Sequence, residues 1–310
     1  MASLSAIAMA AALAAVGPGP QPSTSATTTY HQRRVDGVSV FYREAGPKDA
    51  PTIVLLHGYP SSSRMYDGLI PLLAVRYHVI APDYPGFGHS EAPPPSSYAY
   101  TFDHLARTMG GLLDQLGVER CIFYLQDYGG PVGFRMMIAR PDRVRALIVQ
   151  NANAYDEGLG AKWTGIASFW RDPAGHQDQL DAFMSLDGAR LRHVAGSPNP
   201  ERYSPDAWTD EFAMLSRPGA REIQGALLYD YQTNVAAYPA WQAWLRAQRP
   251  RTLVLWGRYD PSFTVPGAEA YRRDLPEAEL HLLDAGHFAL DERLDEAAVL
   301  VLGFMDRLPH

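Results

Sequence analysis

Short, wholly apolar runs alternate along this chain with segments of helical periodicity, and this alternation limits the possible folds most. Runs rich in β-branched residues and leucine predict buried strands at 52–56, 78–81, 121–125 and 145–149. From Phe102 to Leu116 the apolar side chains recur three and four positions apart, which predicts an amphipathic helix. A β-α-β-α order favours a mostly parallel sheet with helices on both faces, so we expect an α/β fold.

The remaining core elements follow from the same two patterns. Residues 35–43 alternate as a hairpin strand does, and residues 61–75 and 131–139 have helical spacing. After a long interruption, strands are predicted at 252–255 and 279–283, and helices at 267–273 and 291–308.

The interruption covers residues 155–249, where helical pieces and Pro/Gly turns replace the buried strands. Five of the six tryptophans lie within it, at positions 163, 170, 208, 241 and 244. We predict that it forms a helical lid over an apolar pocket. The lid is inserted into a core that consists of residues 30–154 and 250–310.

The first 29 residues stand apart from this pattern. Their apolar run, 7–16, is too short to span a bilayer, and no membrane span is predicted elsewhere. No Lys or Arg precedes Arg33, so the basic segment of a signal peptide is missing. Residues 1–29 are therefore predicted as a flexible tail or a signal peptide, which leaves cytoplasmic and exported localisation both open.

Composition argues against several classes of partner and cofactor. The formal net charge is −7 and no basic block occurs, which argues against nucleic acid as a partner. A single cysteine, Cys121, excludes a disulfide framework, and the ten histidines include no H-E-x-x-H pair. The sequence thus predicts no metal site and no nucleic-acid partner, and it leaves the oligomeric state open.

A short polar and glycine-rich turn joins the strand at 121–125 to the helix that follows it. This segment, QDYGG at 126–130, has the form of a nucleophile elbow. The turn projects its central side chain outwards, near the positive end of the helix. Serine is the usual central residue, whereas this chain has Asp127, which taken alone could equally be a helix cap.

Two more polar residues follow strands at the same expected edge of the sheet. Asp260 comes shortly after the strand at 252–255, and His287 comes shortly after the strand at 279–283. Taken singly, Asp260 is typical of a turn before proline and His287 of a surface loop. Ligands of open parallel sheets collect at these strand ends, however, and the order is that of a nucleophile, an acid and a histidine. Together with Asp127, these two residues therefore predict a catalytic triad.

The segment after the strand at 52–56 suits an oxyanion loop. It reads His57-Gly58-Tyr59-Pro60, and the amides of Tyr59 and Tyr128 are the predicted donors. A second segment, GHSEA at 88–92, imitates G-x-S-x-G, but it lies in a loop beyond the strand at 78–81. Because no helix follows it immediately, we interpret that segment as structural.

The four segments HGYP, QDYGG, WGRYDP and AGHF, in this order, resemble the aspartate-nucleophile branch of the α/β-hydrolases. Members of that branch include epoxide hydrolases and haloalkane dehalogenases. The resemblance covers about residues 30–308, and it is more specific for the fold and the nucleophile than for the substrate. It implies an α/β-hydrolase fold with a mostly parallel sheet, helices on both faces and an inserted helical lid.

An aspartate nucleophile suits attack on a saturated carbon. Serine would give an ether there, whereas the Asp127 carboxylate gives an alkyl ester that water can cleave. His287 is then the base for that water, and Asp260 orients the imidazole. This covalent chemistry requires a small apolar substrate and water, with no metal or organic cofactor.

The resemblance leaves the leaving group open. Lid tyrosines protonate the ring oxygen in epoxide hydrolases, and Tyr231 and Tyr203 are the candidate donors here. Tyr231 is favoured because residues 229–234 resemble the lid segment that carries one such tyrosine. Haloalkane dehalogenases generally hold the halide with a tryptophan directly after the nucleophile, where this chain has Tyr128. Trp163 or Trp170 would have to serve a halide instead.

Epoxide hydrolysis is therefore the favoured activity, and haloalkane dehalogenation is the alternative. An ester hydrolase and a catalytically silent ligand-binding fold are more remote alternatives. The elbow lacks the serine of an ester hydrolase, and a pure binding protein needs no complete triad.

Overall fold

The computed structural model describes residues 27–309, and a central eight-stranded sheet organises them. The strands are β1 (Thr29–Val35), β2 (Val38–Ala45), β3 (Thr52–Leu56), β4 (His78–Pro82), β5 (Cys121–Gln126), β6 (Val144–Gln150), β7 (Thr252–Gly257) and β8 (Glu279–Leu283). They lie in the order β1-β2-β4-β3-β5-β6-β7-β8. β2 is antiparallel to both β1 and β4, and the six strands β3 to β8 are parallel to one another.

Helices cover both faces of the sheet. Those of the core are α1 (Ile70–Leu73), α2 (Phe102–Gln115), α3 (Gly129–Ala139), α10 (Val265–Asp274) and α11 (Ala289–Asp306). α1 and α11 pack on one face, and α2, α3 and α10 pack on the other. The side chains of β3 alternate between the two faces. Ile53 and Leu55 pack on the side of α1 and α11, and Val54 and Leu56 pack on the side of α2, α3 and α10. The predicted α/β architecture is confirmed.

Two local predictions are wrong near the N-terminus of the core. Residues 35–43 are not one strand, because Asp36 and Gly37 adopt φ values of 49° and 77° and turn the chain between β1 and β2. Residues 61–75 are not one helix but a 3-10 turn, Ser63–Tyr66, followed by the short α1. Pro71 lies at the start of α1 and has no N–H, so it cannot continue a helix that enters from the preceding turn.

The segment between β6 and β7 contains helices and no further strand of the sheet. These helices are α4 (Trp163–Arg171), α5 (Gln177–Met184), α6 (Leu186–Val194), α7 (Pro205–Leu215), α8 (Ala220–Asp230) and α9 (Gln232–Gln248). We call residues 155–249, which were predicted as a lid, the cap.

The predicted tail, 1–29, falls almost entirely outside the described residues, and Thr29 already begins β1. Whether a signal peptide precedes the core therefore stays a prediction. Within residues 27–309, no helix has both the length and the apolar composition that crossing a bilayer would require.

Candidate active site

The turn between β5 and α3 holds Asp127 in a rare backbone conformation. Its φ of 48° lies in the left-handed region, which aspartate tolerates better than most side chains do. Glycines allow the surrounding backbone to approach closely. A Cβ on Gly129 would lie 2.1 Å from the Leu56 carbonyl oxygen, and a Cβ on Gly58 would lie 2.4 Å from the Asp127 Cβ. This geometry is that of a nucleophile elbow.

The structure brings the three predicted triad residues together. His287 Nδ1 lies 2.7 Å from Asp260 Oδ2, and His287 Nε2 lies 3.6 Å from Asp127 Oδ2. All three residues are buried, so their electrostatic interactions are poorly screened by water. The histidine is thus held between an orienting acid and the elbow carboxylate.

Asp260 is fixed by groups that the sequence did not identify. Asn151 Nδ2 donates to its Oδ2 at 2.8 Å, and the Ser262 amide donates to its Oδ1 at 2.6 Å. Burial alone would raise the pKa of Asp260, but His287, Lys162 and the Ser262 amide outweigh it and lower that pKa. Asp260 is therefore a carboxylate. Asn151 directly follows β6, so its place at the carboxyl edge of the sheet is the sequence signal that could have found it.

Gln126 selects the tautomer of the histidine. Its Nε2 lies 3.1 Å from His287 Nε2 and can only donate to it, so the ring nitrogen accepts. The ring proton is then on Nδ1, where it is donated to Asp260. This is the neutral tautomer that a general base needs at Nε2.

The predicted oxyanion loop approaches Asp127 directly. The Tyr59 amide donates to Asp127 Oδ1 at 2.8 Å. The Tyr128 residue is the N-cap of α3, where a backbone N–H has no partner within the helix. His57 has a structural role, since its Nδ1 lies 3.0 Å from the Gly58 carbonyl oxygen and its Nε2 accepts from the Tyr84 amide at 3.3 Å. Burial lowers the pKa of His57, which favours this neutral form.

Pro60 completes the loop and follows a cis peptide bond from Tyr59.

A small cavity lies between the core and the cap. Its volume is about 20 Å³, and its walls include Asp127, His287 and Tyr59 from the core. This is about the space of one water molecule, so the cap or its side chains must shift before a substrate can bind. A larger groove of about 690 Å³ lies along the start of α11, but no triad residue lines it.

Comparison with known proteins identifies the family. The family model for the α/β hydrolase fold matches residues 51–294. The chain is an α/β hydrolase. A protein of Saccharomyces cerevisiae described as an uncharacterized hydrolase is 42% identical over 268 residues, which cover 84% of this chain and 92% of that protein. The predicted family, fold and enzyme class are confirmed.

Two further relatives carry more specific names. A haloalkane dehalogenase of Psychrobacter cryohalolentis is 41% identical over 281 residues, which cover 87% of this chain and 88% of that protein. The solved structure of an epoxide hydrolase without ligand has a TM-score of 0.73 and 21% identity, and covers 91% of this chain and 100% of that one. The second likeness is one of fold alone, and folds of this class host many reactions.

The cap of this hydrolase brings only one of the two predicted tyrosine donors to the cavity. Tyr231 lines the cavity and is fully buried. Tyr203 does not line it, and its hydroxyl donates to Glu292 Oε1 at 2.5 Å, so its role as a donor stays a prediction. The Tyr128 hydroxyl is a donor that the sequence did not suggest. It is buried without a partner among the described residues, and Tyr128 lines the cavity.

The indole N–H groups of the two tryptophans that were considered as halide donors already donate to carbonyl oxygens. The Trp163 indole N–H donates to the Ser262 carbonyl oxygen at 2.9 Å, and the Trp170 indole N–H donates to the Leu228 carbonyl oxygen at 2.8 Å. Neither N–H is therefore free for an anion in this arrangement.

The Ser90 hydroxyl of the segment that imitates G-x-S-x-G is also occupied. It donates to the Asp83 carbonyl oxygen at 2.6 Å and accepts from the Phe41 amide at 2.8 Å. These bonds fit the structural role that was predicted for it.

Two cations of the cap, Lys162 and Arg192, line the cavity, and the sequence did not predict either of them as site residues. No local motif marks a cap residue whose side chain reaches the core. One compositional signal exists for the first, since only Lys48 and Lys162 among the 27 basic residues are lysines.

Proposed function

We propose that this hydrolase opens epoxides through an ester formed on Asp127. The observation that carries the proposal is the environment of the Asp127 carboxylate. Its Oδ1 accepts the Tyr59 amide at 2.8 Å, and its Oδ2 lies 3.6 Å from His287 Nε2. An aspartate at the elbow, with an oxyanion donor on one oxygen and a base near the other, suits attack on saturated carbon.

The first step forms the ester. Asp127 Oδ2 attacks one epoxide carbon, the C–O bond of the ring breaks, and the ring oxygen takes up the electron pair. That oxygen receives a proton from a donor on the cap side of the cavity. Oδ1 becomes the ester carbonyl oxygen and keeps its hydrogen bond to the Tyr59 amide.

The second step cleaves the ester. His287 Nε2 removes a proton from water, and the hydroxide adds to the Asp127 carbonyl carbon. Negative charge then develops on Oδ1, where the amides of Tyr59 and Tyr128 stabilise it. The intermediate collapses by breaking the acyl bond to Oδ2. The diol leaves with that oxygen, which takes the proton held by His287. The water oxygen stays on Asp127, and the remaining proton of the new carboxyl group returns to the donor used in the first step.

The available donors support an epoxide as the substrate. An alkoxide leaving group needs a proton, and the Tyr231 side chain lines the cavity. A halide needs N–H donors, but the indoles of Trp163 and Trp170 both donate to carbonyl oxygens.

Haloalkane dehalogenation is the second candidate. It is supported by the relative of that name, which is 41% identical over 87% of this chain. The same ester on Asp127 would form in both reactions, so a shared test can examine the ester and a substrate panel can separate the leaving groups. Release of bromide from bromoalkanes without turnover of any epoxide would favour this candidate.

The proposed ester predicts where solvent oxygen goes. In a single turnover with ¹⁸O-labelled water, we expect the label in the Asp127 carboxylate, because water attacks the carbonyl carbon of Asp127. We also expect His287→Gln to accumulate a stable adduct, since the first step needs no base. Mass spectrometry of the peptide that contains Asp127 measures both outcomes.

The control for that experiment is Asp127→Asn, which should form no adduct with any epoxide. An unlabelled Asp127 together with a diol that takes its oxygen directly from solvent would rule the ester out. An inactive His287→Gln protein that carries no adduct would place the histidine in the first step instead.

A further inference from the structure

The guanidinium of Arg192 lies at the cavity, and some of its N–H donors have no hydrogen-bond partner in the part of the chain that the structure describes. One of its nitrogens donates to the Phe183 carbonyl oxygen at 2.9 Å, and the group lies 4.7 Å from the centre of the Tyr59 ring. Its other terminal nitrogen, Nη1, is buried and has no hydrogen-bond partner among the described residues. A buried donor without a partner is costly, so this nitrogen suits an acceptor that arrives with a ligand.

The ammonium of Lys162 lies at the same cavity. Lys162 is an exposed residue overall, but its Nζ reaches inwards and donates to the hydroxyl of Ser262, a buried residue. An ammonium has three donors, and this hydroxyl uses one of them. Desolvation and the nearby Arg192 lower the pKa of Lys162 to about 8, which still leaves it mostly charged at neutral pH.

Neither cation is paired with a carboxylate within 4.0 Å among residues 27–309. Lys162, Arg192 and Asp127 line the same cavity, and Asp260 contacts the far ring nitrogen of His287. When Asp127 becomes an ester, its negative charge passes to the ring oxygen and then to the group that donates the proton, so the two cations lose the carboxylate at their own cavity. A carboxylate on the substrate would place a new negative charge next to both cations in a site with little water.

We propose that the substrate carries a carboxylate next to the reacting carbon and that Lys162 and Arg192 bind it. The inference rests on the proposed function, because it names the substrate class of the same site. Planar guanidinium and ammonium donors together are well suited to carboxylate recognition. Oxirane-2-carboxylate (glycidate) is the simplest member of this class.

Comparing glycidate with its amide, glycidamide, tests the effect of the substrate's negative charge, because the two molecules have nearly the same shape. We expect the wild type to prefer glycidate in kcat/KM by about 10- to 100-fold, the range expected for hydrogen bonds to charged groups. Arg192→Met and Lys162→Met keep an apolar stem and remove the charge, so each should reduce this preference by about 10-fold or more. Equal use of the two substrates, or a preference that survives in both variants, would overturn the proposal.

Arg190→Met provides the matched control. Arg190 lies on the same helix, α6, and its side chain is turned towards Asp187, 4.0 Å away, at the exposed surface. The preference for glycidate should be unchanged in this variant. A loss as large as that in Arg192→Met would show a general effect of charge on α6 and would overturn the specific assignment.

Binding separates this inference from the proposed reaction. Asp127→Asn cannot form the ester, so calorimetric titration of this variant measures recognition alone. Tighter binding of glycidate than of glycidamide, lost when Arg192→Met is added, would support anion recognition even if the wild type opened no epoxide. Labelling of wild-type Asp127 during glycidamide turnover, with no preference for glycidate in rate or binding, would support the reaction and overturn the inference.

Discussion

The Tyr231 side chain is enclosed by other aromatic rings, which decides how its hydroxyl can act. Its ring centre lies 4.6 Å from that of Trp163, 5.6 Å from Phe102 and 5.7 Å from Tyr128. Burial in this surrounding raises the pKa of Tyr231 well above its ordinary value. The hydroxyl therefore keeps its proton across the working pH range and can donate a hydrogen bond as charge develops on a leaving oxygen.

Removing that hydroxyl should slow epoxide opening selectively. We expect Tyr231→Phe to lower epoxide turnover by about 10²- to 10⁴-fold, the usual contribution of a general acid, while the aromatic packing persists. Any bromoalkane activity should change little, because a halide needs no proton. Tyr229→Phe is the control, since Tyr229 is 47% exposed. Steady-state kinetics on both substrate types would contradict this role if Tyr231→Phe left epoxide turnover intact.

A side chain of the site could be predicted from the sequence only when its position in the sheet is set by the strand next to it. Asp127, Asp260 and His287 were identifiable because each comes shortly after a strand, and parallel strands deliver such residues to one edge. Side chains of the cap follow no strand of the sheet, so the sequence around them does not indicate whether they reach the site. The contacts of Tyr203 and Arg192 depend on how the helices of the cap dock against the core. The sequence therefore predicted neither the bond from Tyr203 to Glu292 nor the place of Arg192 at the cavity.

The start of α3 shows how close packing between a strand and a helix sustains the elbow. A Cβ on Gly129 would meet the Leu56 carbonyl oxygen at 2.1 Å, and a backbone oxygen of β3 cannot rotate away. We therefore expect Gly129→Ala to lower the free energy of unfolding by about 2 kcal/mol or more and to reduce activity. Chemical denaturation followed by circular dichroism measures the first effect.

Gly110 offers the matched comparison within α2. No atom lies within 4 Å of a Cβ placed there, so Gly110→Ala should raise the free energy of unfolding by about 0.5–1 kcal/mol. Equal effects of the two substitutions would argue against the close approach at the elbow.

The secondary-structure elements were largely predictable from the pattern of their apolar residues. The central strands are buried on both faces and read as unbroken apolar runs, and α2 has a clear apolar stripe. β1 is mostly exposed, and its residues therefore have no apolar run by which the strand could be recognised. Its place in the sheet depends on pairing with β2 across the Asp36–Gly37 turn.

A cavity as small as about 20 Å³ implies that the cap or its side chains shift during turnover, so the contacts between cap and core matter for activity. One buried ionic cluster joins the two parts. His193 of α6 lies 2.9 Å from Glu211 of α7 and 3.1 Å from Asp291 of α11. With a carboxylate at each ring nitrogen, the imidazole is doubly protonated and bridges the cap to the core.

Titration of His193 should make this bridge sensitive to pH. Burial would lower the pKa of His193, but Glu211 and Asp291 outweigh it and raise the pKa to about 9. The pKa of histidine in the unfolded chain is about 6.5. The stabilisation is therefore fully present below about pH 6.5 and is lost as the pH rises through about 9, with an upper bound of about 3 kcal/mol.

Amide hydrogen exchange in α6 and α7 can measure the loosening, after correction for the intrinsic dependence of exchange on pH. We expect protection to fall between about pH 6.5 and 9 in the wild type and to be lower but nearly constant in His193→Gln, because glutamine does not titrate. Lys162 titrates in the same range, yet it lies outside this cluster and is unchanged in the variant, so its contribution cancels in the comparison. Parallel profiles of the two proteins would show that His193 does not hold the cap.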